Sequence, residues 1–85
     1  MKSVTIYTSA LCPYCWRAVK LLKTKNINFE EVNVGMNAKL RKEMIQRSGG
    51  ATSVPQIFIR EQHIGGCDEM MALERAGKLD AMLAG

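Results

Sequence analysis

The stretch Cys12-Pro13-Tyr14-Cys15 places two thiols, separated by two residues, between an apolar run and a helix-like segment. Before it, Val4-Thr5-Ile6-Tyr7-Thr8 is rich in β-branched and aromatic residues, which is typical of a strand. After it, residues with the spacing of one helix face follow at Cys15, Ala18, Val19 and Leu22. The four-residue stretch is therefore predicted to form a turn from a strand into a helix.

The predicted turn favours a reactive sulfur at Cys12. Pro13 has no backbone N–H and a fixed φ suited to the first helical position, so Cys12 is expected at or next to the N-cap. There the sulfur faces unpaired N–H groups and the positive end of the helix dipole, which favour a thiolate over a thiol. Cys15 lies one turn further on, with its side chain directed back toward Cys12. We therefore predict that Cys12 attacks and that Cys15 resolves a mixed disulfide formed there.

Length and composition limit the class of protein. The 85 residues are expected to form one domain, 1–85, and 47% apolar with 24% charged residues is typical of soluble globular proteins. There is no apolar run of membrane-spanning length, and the amino terminus lacks the apolar core of a secretion signal, so we expect a cytoplasmic protein without membrane attachment. Three cysteines argue against a structural disulfide framework and favour redox work or metal binding.

The net charge of +4 is modest. The lysines and arginines are scattered among glutamates in helix-like segments, which favours a solvated surface over a nucleic-acid patch. A small anionic substrate or an acidic protein partner would still associate faster with such a chain.

The remaining segments predict the order β-α-β-α-β-β-α. Strands are expected at 2–8, 28–34, 57–59 and 63–64, with helices at 13–25 and 38–47 and a third opening at 67–69. Asn26 is expected to end the first helix in a left-handed backbone conformation, and Asp68 is the expected N-cap of the third. Gly77 is expected to interrupt the third helix before a short final turn. The first strand-helix-strand unit is expected to be parallel. One four-stranded mixed sheet with helices on both faces buries enough apolar surface for this length.

Three motifs occur in an order and at separations similar to those of the glutaredoxin family: Cys12-Pro13-Tyr14-Cys15, Val54-Pro55 and Gly65-Gly66-Cys67-Asp68. The resemblance covers nearly all of the chain. It implies a thioredoxin-like α/β fold and a glutathione-dependent thiol-disulfide oxidoreductase. Cys12 would attack disulfides or glutathionylated proteins, with ribonucleotide reductase as one candidate. Glutathione, regenerated by glutathione reductase, would serve as co-substrate for a monomer without a tightly bound cofactor.

The resemblance also implies a binding site for glutathione. A cis bond at Pro55 would leave the Val54 backbone free to pair with the cysteinyl part, and Tyr14 would flank the tripeptide. The backbone at Cys67 and Asp68 would hold the γ-glutamyl carboxylate at a helix start, and the Asp68 carboxylate would receive the ammonium. The substrate-binding residues so implied are Pro13, Tyr14, Arg41, Ser53, Val54, Pro55, Gly66, Cys67 and Asp68.

Two departures from the family pattern affect this prediction. Ser9 stands where many members carry a lysine, so stabilisation of the thiolate rests on the helix start. Arg41 then becomes the candidate for the glycyl carboxylate. Ser53 replaces the usual threonine but keeps a hydroxyl, so binding is expected to survive.

Several alternatives remain open on the sequence. Cys12, Cys15, His63 and Cys67 could form a zinc site, although Pro13-Tyr14 at a helix start suits redox chemistry better. Cys67 could be a second nucleophile, but a small buried residue is the favoured interpretation. The chain could carry an iron-sulfur cluster between two subunits through Cys12 and glutathione, which Pro13 disfavours. It could also be serviced by thioredoxin reductase, which the segment 65–68 disfavours.

Overall fold

A four-stranded mixed sheet lies at the centre of the computed structural model, which describes residues 4–84. The strands are β1 (Val4–Thr8), β2 (Phe29–Asn33), β3 (Gln56–Ile59) and β4 (Gln62–Gly65), in the spatial order β2-β1-β3-β4. β1 is parallel to β2 and antiparallel to β3, and β3 is antiparallel to β4. The predicted mixed sheet is confirmed, while positions 2 and 3 of the predicted first strand lie outside the described residues.

In the described part of the chain, four helices accompany the sheet: α1 (Pro13–Thr24), α2 (Ala38–Arg47), α3 (Cys67–Arg75) and α4 (Leu79–Ala84). The short turn expected after Gly77 is the helix α4, and Gly77 itself has a positive φ of 72°. Within residues 4–84, no helix has both the length and the apolar character needed to cross a membrane.

The helices pack on both faces of the sheet, because successive strand residues point to opposite sides. On one face, buried residues of β1 and β3 pack with Ala18 and Leu22 of α1, Met70 of α3 and Leu79 of α4. On the other face, Tyr7 and Phe58 pack with Val34 and with Met44 of α2. This arrangement confirms the predicted α/β fold with helices on both faces.

The end of α1 agrees with the prediction, and the start of α3 does not. Asn26 has a φ of 57°, and its N–H donates to the Lys23 carbonyl while the Ile27 N–H donates to the Leu22 carbonyl, which closes the helix. The N-cap of α3 is Gly66, so the prediction of Asp68 as N-cap is wrong. The helix begins at Cys67 because the Glu69 carboxylate accepts the Gly66 N–H at 2.6 Å. The N–H of the cap residue is thereby paired, and no cap at Asp68 is needed.

Candidate active site

Cys12 is the N-cap of α1, as the sequence predicts. Its backbone is extended, with a φ of −136°, and Pro13 occupies the first turn of the helix. The Cys12 Sγ accepts a hydrogen bond from the Cys15 N–H at 3.2 Å. The sulfur therefore receives one of the N–H groups that a helix start leaves unpaired.

Cys15 lies deeper than Cys12 and differs from it chemically. Cys15 is 1% exposed and Cys12 is 7% exposed, and both are free thiols. Burial raises the pKa of the Cys15 thiol to about 12, helped by its hydrogen bond with Cys12 and opposed by the Ser9 backbone. Cys15 is therefore a neutral thiol near pH 7, and Cys12 is the more accessible of the two sulfurs.

The raised pKa of Cys15 predicts that the reduced protein loses stability in alkali. The unfolded thiol releases its proton near the ordinary value of 9.0, whereas the folded one keeps it up to about 12. In that window the folded state binds more protons, so the free energy of unfolding falls as pH rises. Urea unfolding of the reduced protein at pH 8, 9, 10 and 11 should show this decline.

The matched control for this prediction is Cys15→Ser. Burial also raises the pKa values of Cys67 and Tyr7, so a smaller decline should remain in the variant. An equally steep decline in both proteins would contradict the assignment to Cys15.

The segment 53–55 lies next to the Cys12 sulfur. The Val54–Pro55 peptide bond is cis, as predicted, and the Cys12 thiol lies 3.8 Å from the Val54 carbonyl oxygen, to which it donates. The Val54 N–H has no hydrogen-bond partner among residues 4–84. An extended ligand beside Cys12 could therefore pair with this backbone group.

Gln56 fixes the position of this segment, and sequence reasoning missed it. Its buried amide donates to the Ser53 carbonyl at 3.0 Å, and its Oε1 accepts from the His63 Nε2 at 2.6 Å. The His63 ring in turn lies over Phe58, with 4.9 Å between ring centroids. No sequence pattern indicates that Gln56 holds this segment, since a glutamine before an apolar strand is ordinarily exposed.

The start of α3 faces the same region. Asp68 and Glu69 lie in its first turn, and the Glu69 Oε1 holds the Gly66 N–H. The first N–H groups of a helix have no partner within the helix, so this end offers hydrogen-bond donors beside two carboxylates. The Gly66-x-x-Glu69 spacing of a capping box is the sequence signal that could have identified Glu69.

These elements enclose a cavity of about 260 Å³. Its lining residues are Tyr14, Ser53, Val54, Pro55, Gly66, Cys67, Asp68 and Glu69. All except Glu69 belong to the set implied by the resemblance, and Pro13 and Arg41 from that set are not on the wall. Arg41 instead donates from Nη1 to the Thr52 carbonyl at 2.8 Å, one residue before Ser53. The structure therefore brings seven of the nine predicted binding residues together, while Pro13 and Arg41 lie off the cavity wall.

The residues of the zinc alternative do not form a metal site in the described chain. No group of three or more His, Cys, Asp or Glu side chains within residues 4–84 is placed to hold a metal ion. His63 directs its Nε2 to Gln56, and Cys67 lines the cavity.

Comparisons with family models, curated proteins and solved structures all match the same family. The family model described as Glutaredoxin matches residues 4–64. The chain is 54% identical to the Glutaredoxin of Pseudomonas aeruginosa over 84 residues, which is 99% of both chains. The solution structure of glutaredoxin from Brucella melitensis is 49% identical, with a TM-score of 0.82 over 98% of this chain and 89% of that one. A buckwheat glutaredoxin-glutathione complex is 29% identical, with a TM-score of 0.87 over 98% of this chain and 77% of that one.

Proposed function

We propose, from the premise that this chain belongs to the glutaredoxin family, that it reduces disulfides and protein-glutathione mixed disulfides with glutathione as its reductant. A thiol oxidoreductase role is what family membership supports in general. The observation that supports glutathione in particular is the cavity beside Cys12. Its wall combines the Val54 N–H, which has no partner within residues 4–84, with the start of α3 and two carboxylates.

The charges of this wall match the γ-glutamyl end of glutathione. That end carries a carboxylate and an ammonium on one carbon. The backbone N–H groups at the start of α3 suit the carboxylate, since helix starts attract anions. The carboxylates of Asp68 and Glu69 suit the ammonium, because hydrogen bonds between charged groups are the strong ones.

The middle of the tripeptide would lie along the 53–55 segment. An extended ligand pairs with unpaired backbone groups as an added strand does, and the Val54 N–H is such a group. The Val54 carbonyl lies 3.8 Å from the Cys12 sulfur, so a cysteinyl residue paired here brings its sulfur close to Cys12. The solved buckwheat glutaredoxin-glutathione complex, on the same fold, supports the binding of glutathione.

The reaction has two exchange steps. The Cys12 thiolate attacks the glutathione sulfur of a protein mixed disulfide, which forms a Cys12-glutathione disulfide and releases the protein thiolate. A second glutathione thiolate then attacks the bound glutathione sulfur, which releases oxidised glutathione and restores Cys12. Glutathione reductase would return the oxidised glutathione to its reduced form outside this protein.

The reduction of a protein disulfide follows a different route, which also uses Cys15. Attack by Cys12 leaves one substrate sulfur bound to it, and Cys15 then attacks Cys12. This closes the Cys12–Cys15 disulfide and releases the reduced substrate, and two molecules of glutathione reopen the disulfide. The Cys15 N–H already contacts the Cys12 sulfur at 3.2 Å, so the two residues are close enough for this exchange.

The remaining roles rest on the same premise. Within residues 4–84, Arg41 makes one hydrogen bond, from Nη1 to the Thr52 carbonyl, so its other N–H groups could meet the glycyl carboxylate. Pro13 and Tyr14 directly follow Cys12 in the sequence and would flank the tripeptide there. We further propose a cytoplasmic monomer, acting on disulfide-bearing or glutathionylated proteins such as ribonucleotide reductase. No specific observation favours the iron-sulfur carrier, which stays a prediction.

Asp68→Asn tests the binding site. Loss of a charged hydrogen-bond partner costs about 1.5 kcal/mol at such an exposed position, which is about tenfold in affinity. We expect KM for a glutathionylated peptide to rise by about that factor in a coupled assay with NADPH and glutathione reductase, with kcat nearly unchanged.

The control for this test is Asp80→Asn. Asp80 is also an exposed aspartate, but it pairs with Lys25 at 2.6 Å rather than lining the cavity. Its variant should keep the wild-type KM. The proposed function would be wrong if the wild-type protein reduced the peptide with dithiothreitol but not with glutathione.

A further inference from the structure

We propose that the exposed face of α1 binds an acidic segment of protein substrates and so presents the target disulfide to Cys12. This face, called here the α1 face, consists of Trp16, Arg17, Lys20, Lys23 and Thr24. The inference rests on the proposed function, because the bound segment must carry the sulfur that Cys12 attacks. It adds a second binding surface outside the glutathione cavity.

The α1 face is continuous. Lys20 and Lys23 follow Trp16 by four and seven residues, and positions with this spacing lie one above the other on a helix. Arg17 and Thr24 extend the same surface sideways toward α3. All of these side chains are exposed.

The charge of this face is positive and unneutralised. No aspartate or glutamate occurs in the sequence before Glu30, so α1 contains no acidic residue. Within residues 4–84, the only cation in a salt bridge is Lys25, at 2.9 Å from Glu74 and 2.6 Å from Asp80. Arg17, Lys20 and Lys23 therefore present their charges to an approaching partner, which steers an acidic one toward the helix.

A groove between α1 and α3 lies beside the α1 face. Arg17, Lys20, Leu21 and Thr24 of α1 and Met71 of α3 line a space of about 320 Å³. The apolar side chains of Leu21 and Met71 lie among cationic and hydroxyl groups. A peptide with an apolar side chain between acidic ones fits this chemistry.

An exposed apolar border connects the groove with the reactive sulfur. Leu11, Tyr14 and Trp16 are 90%, 56% and 57% exposed, and they flank Cys12 in the sequence. The Trp16 Nε1 donates to the Ala10 carbonyl at 3.2 Å, which holds the ring against the turn before Cys12. A substrate chain held at Cys12 can thus pass over Trp16 toward Lys20 and Lys23, which follow it on the same side of the helix.

The spacing along α1 predicts where the acidic residues should stand. With a rise of about 1.5 Å per residue, Lys20 lies about 12 Å and Lys23 about 16 Å along the helix from Cys12. An extended peptide spans about 3.3 to 3.6 Å per residue. The acidic side chains should therefore lie about three to five residues from the target cysteine.

Matched peptides test the inference. One glutathionylated peptide carries glutamates at the third to fifth positions on both sides of its cysteine, and the other carries glutamines there. We expect kcat/KM for the glutamate peptide to be about tenfold higher at low salt, with the difference shrinking as screening grows. Equal values for the two peptides at low salt would overturn the inference.

Charge-reversal variants test whether the lysines of α1 cause the preference for the glutamate peptide. Lys20→Glu/Lys23→Glu should abolish the preference for the glutamate peptide. Lys39→Glu/Lys42→Glu makes the same change of net charge on α2, where both lysines are also exposed, and should largely keep the preference. Equal loss in the two double variants would show an effect of net charge alone and would overturn the assignment to α1.

A small substrate separates this inference from the proposed function. Glutathionylated cysteine is too short to reach Lys20, so its rate should be the same in the wild type and in both double variants. If the wild type fails to reduce it, the proposed function itself is wrong. If only Lys20→Glu/Lys23→Glu loses this activity, the α1 face acts on the glutathione site and not on a peptide segment.

Discussion

Cys12→Ser should lower kcat/KM for a glutathionylated peptide by a factor on the order of a thousand or more, the scale of loss when a nucleophile is removed. Serine keeps the size of the side chain, but its hydroxyl stays protonated at neutral pH and cannot form a disulfide. The hydrogen bond from the Cys15 N–H, at 3.2 Å in the wild type, can then stabilise no thiolate. The buried Cys15, with its pKa raised to about 12, cannot take over the attack.

Cys15→Ser is the matched variant, and the two reactions should respond to it differently. Reduction of the glutathionylated peptide needs only Cys12 and a second glutathione, so it should continue. Reduction of a protein disulfide needs Cys15 to release the substrate, so it should fall sharply, and the Cys12 mixed disulfide should be detectable by mass spectrometry. An active Cys12→Ser protein would refute the assignment of the nucleophile.

The local sequence was sufficient to predict the parts of the fold and site that local chemistry determines. The cap position of Cys12 follows from Pro13, and the left-handed residue after α1 follows from Asn26, because each depends on the properties of one side chain. The run 57–59 also predicts β3, since three large apolar residues in succession suit a strand covered on both faces.

The parts that sequence reasoning missed depend on contacts between distant segments. Gln56 binds Ser53 in its own loop but also His63 across the sheet, and this contact exists only once β3 and β4 have paired. The error at Asp68 arose because an aspartate and a glycine are both good N-caps, and the choice depends on where the Glu69 carboxylate reaches. Such competition is resolved by packing and not by residue type.

Gly65→Ala should have the largest effect on stability among glycine substitutions near the site. Gly65 has a φ of 120°, and an added Cβ would lie 2.8 Å from the Glu69 Cγ. The backbone conformation costs a non-glycine residue about 1 to 3 kcal/mol. Glu69 can move aside only by releasing the Gly66 N–H, which costs about 1 kcal/mol more. We expect the free energy of unfolding to fall by about 3 kcal/mol in urea titrations.

Gly77→Ala is the matched control, because Gly77 also has a positive φ of 72° but no atom lies within 4 Å of the added Cβ. Its cost should be that of backbone conformation alone, about 1 kcal/mol. In the Glu69→Ala background the contacts with Glu69 Cγ and Oε1 are removed and only the one with Cβ, at 3.0 Å, remains. Gly65→Ala should therefore cost less there, which a double-mutant cycle measures. Because Glu69 also lines the cavity, Gly65→Ala should raise KM for the glutathionylated peptide, whereas Gly77→Ala should not. An equal loss of stability in the two single variants would show that Glu69 does not hold the start of α3 in place.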